Sequence, residues 1–149
     1  MKLGNIILVI ATVFSFGCSG TGEKIPTRSE PAVIGSNSQG SVYVARKSQG
    51  YGSGQIFQIS LNGETLGDLG IGEYVSAELS EGVNVLKVKL SGILGAISIG
   101  ANSPSKSFVK NGNENRYFVT WMGLGFSPIL EINEVTETDW YKSGSFSGP

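Results

Sequence analysis

Leu86, Val88 and Leu90 alternate with Val85, Lys87 and Lys89, so every second residue faces an apolar interior while those between face water. A helix cannot put such a set on one face; a strand does so automatically, because its side chains point to alternate sides. The same period recurs along the chain. Phe57, Ile59 and Leu61 share a face, as do Val75, Ala77 and Leu79, and Leu130 and Ile132 oppose Glu131. Val42-Tyr43-Val44-Ala45 is β-branched and aromatic and ends at Arg46-Lys47, and residues 116–122 and 129–135 read as two later strands. Between the runs stand turn signals. Asn62-Gly63 is the strongest short-range hairpin signal, and a two-residue turn there sets Leu66 opposite Ile59. Gly70 and Gly72 break the next strand, and Ser80-Glu81-Gly82 turns the chain again. The expected fold is therefore all-β, a small antiparallel β-sandwich of about 7–9 short strands, with its domain over residues 41–142 and a flexible tail at 143–149.

The N-terminus has a different character. Lys2 precedes an apolar body from Ile6 to Phe16, and Ser15-Phe16-Gly17-Cys18 closes it. A positive start, a short apolar stretch and small residues before a cut make a signal peptide, and this stretch is too short for a span of about 20 residues. Cys18 is the single cysteine, so it has no disulfide partner within the chain. The segment resembles a bacterial lipoprotein signal, which implies cleavage of residues 1–17 and acylation of Cys18 as the new N-terminus. Ser15 departs from the Leu usual three residues before that cysteine, with Phe14 one place early. Ordinary secretion is the competing reading, since Ser15 and Gly17 also suit the other signal peptidase. Ser19 is not the Asp that resembles an inner-membrane retention signal, which points to the outer membrane facing the periplasm. Residues 18–40 are rich in Ser, Gly, Thr, Pro and Asn without apolar period and read as a tether, a coil of about 25 Å root-mean-square span.

Composition excludes several classes. There is no histidine, which removes Ser-His-Asp and Cys-His catalysis and the commonest metal ligand. The chain has 11 basic and 12 acidic side chains, and Lys2 leaves with the signal; no basic stripe exists for nucleic acid, Lys87 and Lys89 being the densest pair. No cofactor motif is present: Gly50-Tyr51-Gly52-Ser53-Gly54 lacks the Lys-Ser/Thr of a phosphate loop. Asn111-Gly112-Asn113-Glu114-Asn115 has oxygen donors but one carboxylate, so it reads as a turn rather than a calcium loop.

The order of parts in residues 41–90 resembles a known family. Val42-Tyr43-Val44-Ala45-Arg46, Leu61-Asn62-Gly63-Glu64-Thr65-Leu66-Gly67-Asp68-Leu69, Gly72-Glu73-Tyr74-Val75-Ser76-Ala77-Glu78-Leu79 and Glu81-Gly82-Val83-Asn84-Val85-Leu86 are similar to small bacterial lipoproteins carrying domain of unknown function 2846, related to the PEGA-type β-sandwich. Arg116-Tyr117-Phe118-Val119 and Pro128-Ile129-Leu130-Glu131-Ile132 look like its later strands. The chain lacks the family's Pro before Gly82, and Asn84 stands where the family has histidine. The resemblance implies a PEGA-like or Ig-like sandwich on a lipoprotein; it implies no activity and no catalytic residue.

The expected function is a lipid-anchored binding or assembly module of the cell envelope, not an enzyme. Its partners are the membrane, through acylated Cys18, and an envelope protein met through an edge strand or the apolar stretch Gly92-Ile93-Leu94-Gly95-Ala96-Ile97-Ser98-Ile99-Gly100, which otherwise reads as buried. The alternatives are a glycan-binding module, or a carbohydrate or peptidoglycan hydrolase if two of Asp68, Glu73, Glu78 and Glu81 met in a cleft with an aromatic floor. Binding candidates are Arg46, read as a surface charge at a strand edge able to hold an anion, and Tyr74, Trp140 and Tyr141 as stacking surfaces. Trp121 reads as core.

Overall fold

The alternation read from the sequence becomes two facing sheets in the computed structural model, which describes residues 20–25, 40–49, 54–91, 102–123 and 129–144. The strands are β1 (Glu23–Lys24), β2 (Ser41–Arg46), β3 (Ile56–Leu61), β4 (Glu64–Leu69), β5 (Glu73–Glu78), β6 (Val83–Ser91), β7 (Ser105–Val109), β8 (Arg116–Gly123) and β9 (Ile129–Val135), followed by α1 (Glu137–Ser143). One sheet has the order β4-β3-β6-β7 and the other β1-β5-β2-β8-β9. The chain is thus the small β-sandwich its pattern called for. All pairs are antiparallel except β2 and β8, which run parallel. The whole of the first sheet lies between them in sequence, long enough a connection for the chain to return in the same direction.

Each inward residue of the alternation lands in the core. Leu86 and Val88 on β6, Phe57 and Ile59 on β3, and Val42, Val44 and Phe118 are fully buried between the sheets. Removing a side chain of this size from water stabilises the fold by about 1.5–3 kcal/mol. Strand β2 is buried on both faces along its whole length. Val42 and Val44 meet the other sheet, while Tyr43 and Ala45 lie in a second cluster centred on Trp140.

The Asn62-Gly63 turn has positive φ at both residues, 53° and 88°, as the hairpin signal requires. The register beyond it differs from the sequence expectation. Gly67, not Leu66, pairs with Ile59, because a bulge inserts one residue between Ile59 and Ser60 of the ladder. Without that residue Asp68 would face the core opposite Phe57; with it, Leu69 does, and is fully buried. Gly82, with φ of 82°, turns the chain into β6. There buried Asn84 donates to Ser80 O at 2.8 Å and accepts from Asn62 Nδ2 at 3.0 Å, so it ties two hairpins together.

Two stretches correct the expected organisation. Residues 20–25, assigned to the tether, form a strap along the seam between the sheets. Strands β4 and β5 would otherwise leave their ladder groups unpaired there. Thr21 and Gly22 donate through their amides to Asp68 O at 2.7 and 3.0 Å, Glu23 and Lys24 pair with Tyr74 and Glu73, and Ile25 donates to Gly72 O at 3.0 Å. A Cβ on Gly22 would run into Leu69 Cδ2 and come within 2.9 Å of Tyr74 O. Gly22→Val is therefore expected to eject the strap and lower stability by about 2–3 kcal/mol, near 1 kcal/mol per hydrogen bond lost. Hydrogen exchange would show it as lost protection at the Thr21 and Ile25 amides with the β3 and β6 amides unchanged; an unchanged Ile25 amide would contradict it.

The second correction is α1, a helix within the region read as strands and tail. Thr136 caps it, accepting from the Asp139 amide at 3.2 Å, while Glu137 and Asp139 in the first turn and Lys142 in the last suit the helix dipole. The helix lies on the outer face of β2 and β8 and buries Trp140 there.

Candidate functional site

Arg46 is not the surface charge its place at a strand end suggested. It follows Val42 and Val44 on the inward face of β2 and is 1 % exposed. Its Nη1 donates to Gln55 O and, at 3.2 Å, to Leu69 O, and its guanidinium carbon stands 4.1 Å from the Phe57 ring centroid. Burial pulls its pKa from 12.5 down to about 10, against the opposing pull of the Glu73 charge. Glu73 is itself buried, accepting from the Gly70 amide at 2.7 Å and Lys24 Nζ at 3.1 Å. Arg46 thus stitches β2, β3 and β4 together at one end of the sandwich, and an incoming anion has no open path to it.

Trp140 was expected at the surface and is fully buried instead. The reason is the helix: in about two turns only Trp140 and Ser143 are buried, and the indole fills the space between helix and sheet. Tyr74 and Tyr141 rings lie 5.2 Å from it, Tyr117 5.9 Å and Tyr43 6.0 Å, all edge-on. Its Nε1 has no hydrogen-bond partner among the described residues, a loss the ring contacts offset. The structure therefore brings Tyr74, Trp140 and Tyr141 together, but as packing rather than as an open stacking platform, with Arg46 on the opposite face of the sheet. Trp121 is corrected in the other direction. Because Phe118 and Met122 face inward, Tyr117, Val119 and Trp121 face outward, and Trp121 is half-buried beside that second cluster with Lys47 Nζ 6.0 Å above its ring.

Burial raises the pKa of Tyr43, Tyr74, Tyr117 and Tyr141, those of Tyr74 and Tyr117 to about 12 from 10.0. A Glu23 carboxylate accepting from the Tyr74 hydroxyl at 2.7 Å adds to its rise, while a hydrogen bond from Asn115 opposes that of Tyr117. Unfolded tyrosines release protons from pH 10 and the folded ones hold them, so this stability is full below pH 10 and is lost toward pH 12. Arg46 has the opposite sign over its own range, one group against four. A steep loss of fold between pH 10 and 12 is expected, with tyrosinate absorbance rising in the same step. Tyrosinate formation near pH 10 with the circular dichroism unchanged would contradict the packing of this cluster.

The acidic pairs fall apart into separate environments. Glu78 and Glu81 share a shallow groove of about 490 Å³ with Leu79, Ser80, Lys110 and Asn113, and none of these lining residues is aromatic. Glu81 is bound to Lys110 at 2.6 Å. The Asp68 carboxylate accepts from Ser91 Oγ at 3.4 Å, whereas that of Glu73 is held by the Gly70 amide and Lys24. A smaller groove, about 160 Å³, opens between strap and sheet beside Tyr74. Among the described residues no three His, Cys, Asp or Glu side chains gather to hold a metal, and no helix is long and apolar enough to cross a membrane. The 111–115 stretch is a turn, with Gly112 at φ 56° and Asn115 Oδ1 accepting from the Ser41 amide at 3.0 Å.

The surface that the sequence reading passed over is the outer face of β6 and β7. Val83, Val85 and Val109 are 65 %, 38 % and 53 % exposed, and Val83 and Val109 are direct partners across the ladder. The alternation carried this signal, since Val85 belongs to the wet set with Lys87 and Lys89. Strand β7 also ends its sheet among the described residues. Cys18 and the 92–100 segment lie outside the described residues. Ser91, just before that segment, donates to Asp68 Oδ2 at 3.4 Å, and Asn102, just after it, bonds both backbone groups of Leu130.

The chain matches no protein-family model, and no curated protein and no solved structure matches it.

Proposed function

We propose that this chain is a lipid-anchored β-sandwich of the bacterial cell envelope, on the outer membrane facing the periplasm, and that it works as a non-catalytic binding or assembly module. The observation that carries the reading is the asymmetry of its two outer faces. One is closed by α1 over a tyrosine–tryptophan layer, whereas the other presents Val83, Val85 and Val109 side by side. Single exposed apolar residues are ordinary, but neighbours on one sheet face beside β7, which ends its sheet among the described residues, suit a protein partner. The apolar segment ending at Cys18 supports the anchor, and acyl chains there, at about 0.8 kcal/mol per buried methylene, hold far more tightly than a patch of this size.

The test is cross-linking in intact cells followed by purification from solubilised membranes, with wild type beside a Val83→Asp/Val109→Asp variant. A discrete partner that crosslinks to wild type and is lost from the folded variant is the expected result. Wild type recovered alone, or the same partner recovered equally with both, would count against this face.

A further inference from the structure

The link from Cys18 to the folded body is short enough to orient the domain on a bilayer. Two residues extended reach at most about 7 Å, and Gly20, the second after Cys18, is wedged between the Gly70 amide, Asp68 O and the Glu73 carboxylate. The next two amides are bonded to Asp68 O. Gly20 thus lies at one defined end of the sandwich. The same end holds the 70–72 turn, whose Gly72 amide donates to Arg46 O at 3.2 Å and whose Gly72 O accepts from Ile25. It also holds Ser48, donating to Ser143 O at 2.8 Å, and Gly144, whose added Cβ would stand 2.7 Å from Ile25.

Charge is mixed at this end: Lys24, Lys47 and Lys142 stand among Glu23, Glu73, Glu131 and Asp139, and the Lys24 and Lys142 side chains, 74 % and 71 % exposed, each touch one acid, Glu73 and Asp139. The far end carries the Asn62-Gly63, Gly82 and Gly112 turns with exposed Glu64, Glu78, Glu81 and Glu114, against Lys110 bound to Glu81. Attraction of lysine to an anionic leaflet fades over about 8–10 Å in physiological salt, a range that the two-residue link does not exceed.

We propose that the end of the sandwich formed by Gly20, the 70–72 turn, Ser48 and Gly144 rests on the anionic surface of the bilayer, with Lys24, Lys47 and Lys142 meeting lipid phosphates. This rests on the reading of Cys18 as acylated. The strands then stand away from the membrane, and Val83, at the opposite end of β6 from Ser91, is held about 25 Å further out, where a partner can reach it.

The experiment uses the full acylated chain, extracted from membranes and reconstituted in vesicles of phosphatidylglycerol and phosphatidylcholine that carry a head-group nitroxide quencher. Acylation blocks Cys18, so Gly54→Cys, open and at the membrane end, and Glu114→Cys, exposed at the far end, each offer one thiol for a fluorophore. The Gly54 label is expected to lose most of its emission and the Glu114 label to keep it, and replacing the three lysines by glutamine is expected to weaken quenching at Gly54. Equal quenching of the two labels on acylated, vesicle-bound protein would overturn the orientation and leave the anchor standing. A mass spectrum of the same preparation showing Cys18 without acyl chains would overturn both. Unchanged quenching in the lysine variant would overturn the lysine contact.

Discussion

Trp140→Ala is expected to lower the unfolding free energy by about 3–5 kcal/mol, the range for deleting a fully buried tryptophan. The indole is the only side chain that joins α1 to the sheet at full burial, and four tyrosine rings rest on its edges. Its loss leaves a cavity that a seven-residue helix cannot close by shifting, because its Thr136 cap and the Ser48–Ser143 hydrogen bond fix both ends. For a domain of this size each kcal/mol moves the melting temperature by roughly 4–8 °C, so a fall of about 12–40 °C is expected. Trp140→Phe keeps most ring contacts and removes the unpartnered Nε1, and is expected to cost less than half as much. Urea unfolding followed by circular dichroism measures both. A loss under about 1 kcal/mol for Trp140→Ala would mean that the outer layer contributes nothing to the fold.

Arg46→Met is expected to cost about 3–5 kcal/mol for a different reason. Methionine matches the stem and still covers Phe57, so little packing is lost. What remains is Leu69 O and Gln55 O without this donor, and a buried Glu73 carboxylate that keeps Lys24 Nζ at 3.1 Å but loses the Arg46 charge. The Glu73 charge favours the charged guanidinium, so the two groups act on each other through the low-dielectric interior. Glu73→Gln in the same chain is therefore expected to recover part of the loss, leaving a double-mutant coupling of about 1 kcal/mol or more. Strictly additive single losses would show that Arg46 and Glu73 do not act on each other. If Arg46 were an exposed anion site instead, Arg46→Met would leave stability within about 0.5 kcal/mol of wild type.

The sandwich was legible wherever one face of a strand is wet. Strand β6 alternates without a fault from Asn84 to Leu90, and the Asn62-Gly63 hairpin needed no tertiary information. What escaped notice depends on contacts that no local period records. Strand β2 is covered on both sides, so its alternation vanishes and Arg46 looks like the charged end of a strand rather than an inward residue. The bulge at Leu66 shifts a register by one residue, and only the need to bury Leu69 rather than Asp68 specifies it. The strap pairs through Glu23 and Lys24, both exposed, so its hold lies in backbone groups and in the absence of a side chain at Gly22. Helix α1 is too short to display a 3.6-residue stripe, though Thr136 followed three residues later by Asp139 is a capping pattern that could have found it. Trp140 and Tyr141, beside charged neighbours, therefore read as surface. The proposed anchor rests wholly on the sequence around Cys18, which lies outside the described residues.

Mass spectrometry of the protein purified from the cells that make it, with Cys18→Ala alongside, tests the proposed anchor most directly. The expected result is a mature chain that begins at Cys18, carries the added mass of two or three acyl chains and stays with the membrane fraction, while the alanine variant keeps residues 1–17. A chain that begins at another residue, or that begins at Cys18 with a free thiol and leaves in the aqueous wash, would contradict it.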